Sequence, residues 1–326
     1  MPTRKSPRKG SLQFWPRKRA KKFLPRVNWS VINENSTDNE KKLKGFIGYK
    51  AGMISSYIKD NTPDSMTKGK KITVPSTIIE CPPMKIFSVR FHQDGKVVKE
   101  FIVENVDKEM KKKVKLPKNN KKVSEEIKNL KLEDYDDVKV IVYSVVKKTG
   151  IKKKPDMSEI GLKGKNVEEK VSFILENIGK EISVSEVFSA GELIDFRGLT
   201  TGRGLSGPVK RFGITLKSHK SEKGRRRPGS LGPWHPARVT FRVPQAGQLG
   251  MFTRVVYNSK IIGMGKISEE NKKDFSNIKN YGDMKTEYII VKGSVQGTSK
   301  RQLLLTSPLR ETRKMKKINY ELLELR

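Results

Sequence analysis

Between residues 197 and 250 the chain carries twelve Arg or Lys, ten Gly, five Pro and a single acid, Glu222. A stretch with that balance has no periodic apolar face to bury, and its like charges repel one another. It must project from the rest of the fold as a long loop or lie on a polyanion. Residues 1–30 repeat the pattern, with ten Arg or Lys and no acid, punctuated by Phe14, Trp15, Phe23 and Trp29. Together the two segments hold 22 of the 70 basic and one of the 35 acidic side chains, so most of the net charge of +35 is concentrated in them. Each phosphate neutralised by such a side chain releases counterions, which makes nucleic acid the natural partner.

The remainder can support a core: 34% of the 326 residues are hydrophobic. Short β-branched runs punctuated by Pro or Gly predict strands at 45–49, 72–74, 77–80, 85–91, 97–103 and 138–146, and again at 193–196, 239–243, 252–257, 288–291 and 302–306. A barrel or sandwich follows more naturally than a parallel sheet. Val123, Ile127 and Leu130 suggest a short helix, and Val167, Val171, Leu175 and Ile178 an amphipathic one ending at Gly179. The domain reading is a basic arm and polar loop at 1–43, the first β part at 44–106, and a partly helical insertion at 107–192. A strand with the basic loop follows at 193–250, and the remaining β part with a C-terminal tail at 251–326. Residues 1–30 read as an extended arm and 111–122 as a lysine-rich tether.

Other chemistries find little footing. Cys81 stands alone, so no internal disulfide is expected and the compartment reads as reducing. No run approaches the roughly 18 apolar residues of a membrane helix, and the basic N-terminus lacks the apolar centre of a signal peptide; a cytoplasmic location follows. His92, His219 and His235 are scattered, giving no zinc spacing, and no nucleophile elbow occurs. No cofactor, metal or catalytic group is expected. Gly202-Arg203-Gly204-Leu205-Ser206-Gly207 is formally a G-x-G-x-x-G, but the fingerprint needs a helix opening at its last glycine. Pro208 and the basic, non-amphipathic run after it predict none. The glycines more simply let the backbone turn and approach an irregular surface. An RNA-modifying enzyme would need a cofactor site, and this is the sole candidate; a chromatin-type architectural protein would prefer duplex DNA.

Arg225-Arg226-Arg227 leads into Pro228-Gly229-Ser230-Leu231-Gly232-Pro233-Trp234-His235-Pro236. Arginines can grip phosphates bidentately, and Trp234 offers a flat face to a base or sugar. The alternative, a tryptophan folded back into the core, lacks apolar periodic neighbours. Phe14-Trp15-Pro16-Arg17-Lys18-Arg19 repeats the arrangement in the arm.

These residues carry a family resemblance. The strings Gly198 to Gly204, Gly207-Pro208-Val209-Lys210-Arg211, Trp234-His235-Pro236-Ala237 and Gln245-Ala246-Gly247-Gln248-Leu249-Gly250 resemble, in order, the central loop of the large-ribosomal-subunit protein three family. Phe14 to Ala20 and Gly45 to Met53 match as well. The Trp-His-Pro and Phe-Trp-Pro elements resemble the archaeal and eukaryotic branch, and the short length the archaeal one. The resemblance implies a mainly β chain with an α/β insertion: a translation-factor-like β-barrel with a long N-terminal arm and a long central basic loop. It implies a structural, non-enzymatic role in the large subunit. That role comprises primary binding to large-subunit rRNA, nucleation of assembly, and an arm and loop that reach toward the peptidyl-transferase centre. The rRNA contacts it implies are Trp15, Arg17, Lys18, Arg19, Lys21 and Lys22 in the arm. In the loop they are Arg203, Lys210, Arg211, Lys217, Arg225, Arg226, Arg227, Trp234, His235, Arg238, Gln245 and Gln248. Implied neighbours are large-subunit protein fourteen and the twenty-four-type protein, with no homo-oligomer and no membrane. Val31 to Lys42 and Ser55 depart from the family pattern.

Overall fold

The computed structural model describes residues 10–32, 43–117, 123–164, 166–269 and 271–326. The polar loop expected near 31–43 and the end of the lysine tether at 118–122 therefore lie largely outside the described residues. Strand makes up 35% of the chain and helix 14%, so the protein is mainly β. It divides into two units, one of residues 24–198 and 255–326, the other of residues 1–23 and 199–254.

The first unit, the β body, contains two sheets. Its first strand, β1 (Gly45–Asp60), pairs along one edge with β2 (Lys71–Cys81). β3 (Met84–Gln93) and β4 (Lys96–Ile102) form a hairpin that continues into β5 (Asp137–Ser144) and β6 (Met157–Gly161), giving a four-stranded antiparallel sheet in the order β4-β3-β5-β6. The larger sheet is completed by β7 (Leu193–Leu199), which leads out of the body, and by strands nearer the C-terminus. Helix α1 (Val123–Lys128) follows β4 in the chain, and helix α2 (Val167–Asn177) follows β6. α2 buries Val171 and Ile174, and its Lys170 ammonium donates to Asp137 on β5 at 2.7 Å. Gly179, two residues past its end, takes φ +78°, the left-handed conformation that stops a helix.

Leaving β7, the chain forms β8 (Leu205–Ser206), helix α3 (Pro208–Phe212) and β9 (Gly247–Gln248) in the second unit. It then returns along β10 (Thr253–Lys266) to β11 (Glu287–Lys292), β12 (Gln302–Thr306), the four-residue α4 (Arg313–Lys316) and β13 (Tyr320–Leu325). The strand order of the seven-stranded sheet is β12-β7-β10-β11-β2-β1-β13, and β12 also pairs with β1. The 16 residues of β1 explain that double use of one edge. Gly45 to Tyr49 pair with β12, whereas Ser56 to Asp60 pair with β13. The first seven β1 residues are all buried, as expected of a segment covered on both faces, and the later ones alternate. The C-terminal residues, expected as a tail, thus end in a paired strand.

Trp29 corrects the reading of 1–30 as an arm without a core. It begins a short 3-10 helix, is only 3% exposed and sits in the main hydrophobic cluster with Phe46, Phe196 and Leu305. Gly45 and Gly161 form its seat, since a Cβ on either would come within 3 Å of the indole side chain. Leu24 and Val27 pack on the same cluster.

Candidate nucleic-acid interface

The second unit has little apolar core. Among its described large hydrophobics Leu199 and Phe212 are buried, and arginines replace the missing apolar contacts. Arg17 donates to the Arg211 carbonyl at 2.7 Å, and Arg211 donates back to the Arg17 carbonyl at 3.2 Å. Arg211 also donates to the carbonyls of Gln248 at 2.9 Å and Gln245 at 3.0 Å. The Arg17 guanidinium lies 4.2 Å from the Phe212 ring centre, and Trp15 stacks on the same ring at 6.0 Å. Residues 15–17 and 211–212 are thereby clasped to one another. Burial lowers the Arg211 guanidinium pKa from its ordinary value, an effect carried by desolvation alone.

The loop enters and leaves through a narrow neck. Thr200 donates to the Phe252 carbonyl at 3.0 Å, Arg203 to Leu249 at 2.9 Å, and Leu249 to Gly204 at 2.8 Å. Gly250 sits in this neck at φ +77°, where an added Cβ would collide with the Thr201 carbonyl and the Gly202 backbone. Leu205 and Ser206 then pair antiparallel with Gln248 and Gly247.

Helix α3 corrects the argument against the glycine motif. A helix does open after Gly207, with Pro208 in its first turn, where the missing N–H costs nothing. Its five residues follow a two-residue strand whose partner is antiparallel, so the parallel βαβ frame of a dinucleotide site is still not the local structure. The strand expected at 239–243 is also corrected: these residues form loop and turn. Their β-branched alternation mimics a strand, but a strand needs a ladder partner, and none pairs with them.

Of the expected contact residues, Lys18, Arg19, Lys21, Lys22, Arg203, Lys210, Lys217, Arg225, Arg226, Arg227, His235, Arg238 and Gln245 are exposed. Trp234 is 85% exposed, well away from any core. Trp15, Arg17, Arg211 and Gln248 are half-buried and are used within the clasp and neck. Sequence reasoning missed Phe212, the hub of the clasp, and Phe241, which is 99% exposed. A fully exposed phenylalanine on a cationic loop is a second flat face offered to a partner. The Trp15–Pro16 and His235–Pro236 peptide bonds, one in each segment, are both cis.

Fold and surface define a class: a mainly β protein with a second, strongly cationic unit whose basic and aromatic side chains are largely exposed. Comparison with known proteins narrows it. The model of the ribosomal protein L3 family matches residues 1–324. The large ribosomal subunit protein uL3 of Methanobrevibacter smithii is 39% identical over 329 residues, spanning 96% of each chain. Its counterpart from Methanocaldococcus jannaschii is 38% identical over 313 residues, spanning 93% of this chain and 91% of the relative. The chain belongs to the ribosomal protein L3 family, whose members are structural proteins of the ribosome and not enzymes. No helix among the described residues is long and apolar enough to cross a membrane.

Proposed function

We propose that this chain is a structural constituent of the large ribosomal subunit that binds large-subunit rRNA directly and helps to nucleate subunit assembly in the cytoplasm. The observation that carries the reading is the loop tip. From 222 to 242 nearly every residue is exposed, and the stretch presents Arg225 to Arg227 and Arg238 together with the bare rings of Trp234 and Phe241. Such a surface is poorly suited to water alone and well suited to phosphates and stacked bases.

In this reading the clasp at Arg17, Arg211 and Phe212 orients both arm and loop, which reach toward the peptidyl-transferase centre with Trp234 near the loop tip. Lys18, Arg19, Lys21, Lys22, Arg203, Lys210 and Lys217 contact phosphates on the way. The tip is held by few bonds of its own, such as Lys217 to the Arg225 carbonyl at 3.1 Å, so RNA completes its ordering. The ring of pairings from β12 through β7, β10, β11, β2 and β1 back to β12 is a translation-factor-like barrel, and the β3 to β6 sheet with α2 is its α/β insertion. Large-subunit protein fourteen and the twenty-four-type protein are its neighbours.

Sedimentation of the tagged chain from its own cells through a sucrose gradient tests the role. Stoichiometric migration with large subunits after a moderate-salt wash is expected. Migration at the top of the gradient, or with DNA, would reject it.

A further inference from the structure

We infer that the β body carries a second phosphate-binding face, distinct from arm and loop, made by the tip of the β1–β2 hairpin and the segment before β13. The inference rests on the RNA-binding role proposed above and adds to it a site that docks as a rigid surface. Residues 60–71 of the hairpin expose Lys68, Lys70 and Lys71, and residues 310–317 expose Arg313, Lys314 and Lys317. Among the described residues none of these six cations is held in an ion pair, whereas Lys147 and Lys148, in one of the chain's other lysine runs, are paired with Glu109 and Glu181.

The two segments form one built surface. Asn61 donates its N–H to the Asn319 carbonyl at 2.9 Å, and Asn319 donates to the Thr62 hydroxyl at 3.0 Å. On the other side Asn258 donates to the Thr312 hydroxyl at 3.1 Å, which ties the segment before α4 to β10. Of the acids in these segments Asp64 is exposed at the hairpin tip, and the others nearby are engaged. Glu311 pairs with Lys316 at 2.8 Å, and Glu321 accepts from Asn61 at 3.1 Å. Asp60 is 3% exposed and accepts from the Thr62 N–H at 2.9 Å, the Ser65 hydroxyl at 2.7 Å and the Thr67 hydroxyl at 2.5 Å. Its own carbonyl accepts from Gly69 at 2.7 Å. A carboxylate saturated in this way shapes the hairpin tip, which carries Met66, 96% exposed, among the lysines.

A preorganised cationic face fits the phosphate backbone of an A-form RNA duplex, which is recognised by shape and charge. The occupant is therefore duplex RNA, read without regard to sequence.

The test uses the full chain and two probes: an arbitrary RNA duplex of about 20 base pairs and transcribed large-subunit rRNA. The variants are a quadruple change, Lys68→Gln, Lys70→Gln, Arg313→Gln and Lys314→Gln, and a loop triple, R225Q, R226Q and R227Q. All seven residues are exposed, and unchanged melting confirms folding. Each phosphate left without its cation lowers the log-log salt slope by roughly 0.7 to 0.9, so the quadruple change is expected to lower it by about three on the duplex. Asp60→Ala separates a shaped site from bulk charge. It makes the protein more positive, yet a preorganised face requires weaker duplex binding, and tighter binding would overturn the inference. A quadruple variant with an unchanged slope beside a loop triple with a reduced one would overturn this face while leaving the proposed function standing. Unchanged slopes in both would remove the two together.

Discussion

The β body and the arm-and-loop unit solve opposite problems with the same chain. In the body, the buried carboxylates of Glu80 and Asp195 are matched inside the protein. Glu80, fully buried on β2, accepts from the Tyr281 hydroxyl, from the backbone of Lys285 at 2.8 Å and from that of Thr286 at 3.0 Å. Asp195 on β7 accepts from Asn258 at 2.8 Å and Leu309 at 2.9 Å, and desolvation still raises its pKa. In the other unit, arginine-to-carbonyl bonds join Arg17 and Arg211 to their neighbours and Arg225 to Lys217 at 3.3 Å, while the rings of Trp234 and Phe241 face solvent. The body pairs these buried carboxylates within itself, whereas the other unit leaves many cationic donors exposed.

Core truncation should separate the two regions most sharply. Phe196→Ala removes a fully buried ring from the body and is expected to cost about 3–5 kcal/mol in denaturant unfolding. The salt slope of the folded fraction on rRNA should not change. Phe212→Ala should do the reverse. Hydrogen exchange at Arg211 and Gly213, whose N–H groups bond to Gly207 and Val209, is expected to accelerate roughly tenfold or more, with the melting of the body unmoved. A lowered body melting temperature would mean that the clasp belongs to the scaffold.

His92 sharpens the comparison from the scaffold side. It is 5% exposed on β3 and neither ring nitrogen has a hydrogen-bond partner among the described residues. Burial, then the nearby Lys139 charge, lowers its pKa below the ordinary 6.5, against the pull of Glu159 and Asp137. The unfolded chain therefore binds the proton more tightly. The stability contributed by neutral His92 is present above about pH 6.5 and is lost as pH falls through the lowered folded value. Denaturation midpoints should drop more between pH 7.5 and pH 5 in the native chain than in His92→Gln. The smallest expected effect is that of Trp234→Ala on folding: within roughly 0.5 kcal/mol, because the ring is exposed. Global unfolding by this change would make Trp234 a core residue.

Much of this contrast was legible in the sequence. Alternating β-branched runs marked the strands from Gly45 onward, the apolar spacing of Val167 to Ile178 marked α2, and charge singled out the two basic segments. What stayed hidden depends on tertiary partners. Trp29 looks like one more aromatic on a basic arm until Gly45 and Gly161 provide its seat. Val239 to Val243 has strand chemistry without a strand to pair with. Arg17 and Arg211 look like phosphate grips, but their donors are engaged by carbonyls about 194 residues apart in sequence, a relation that no local pattern encodes. The pairing of β13 with β1 likewise joins the two ends of the body.

Equilibrium binding of the full chain to large-subunit rRNA across a salt series tests the central claim most directly. If about ten of the cations in arm and loop engage phosphates, the log-log slope should be about −7 to −9. A slope near about −2 would mean that only a few charges touch RNA, and would contradict an extension built to lie along it.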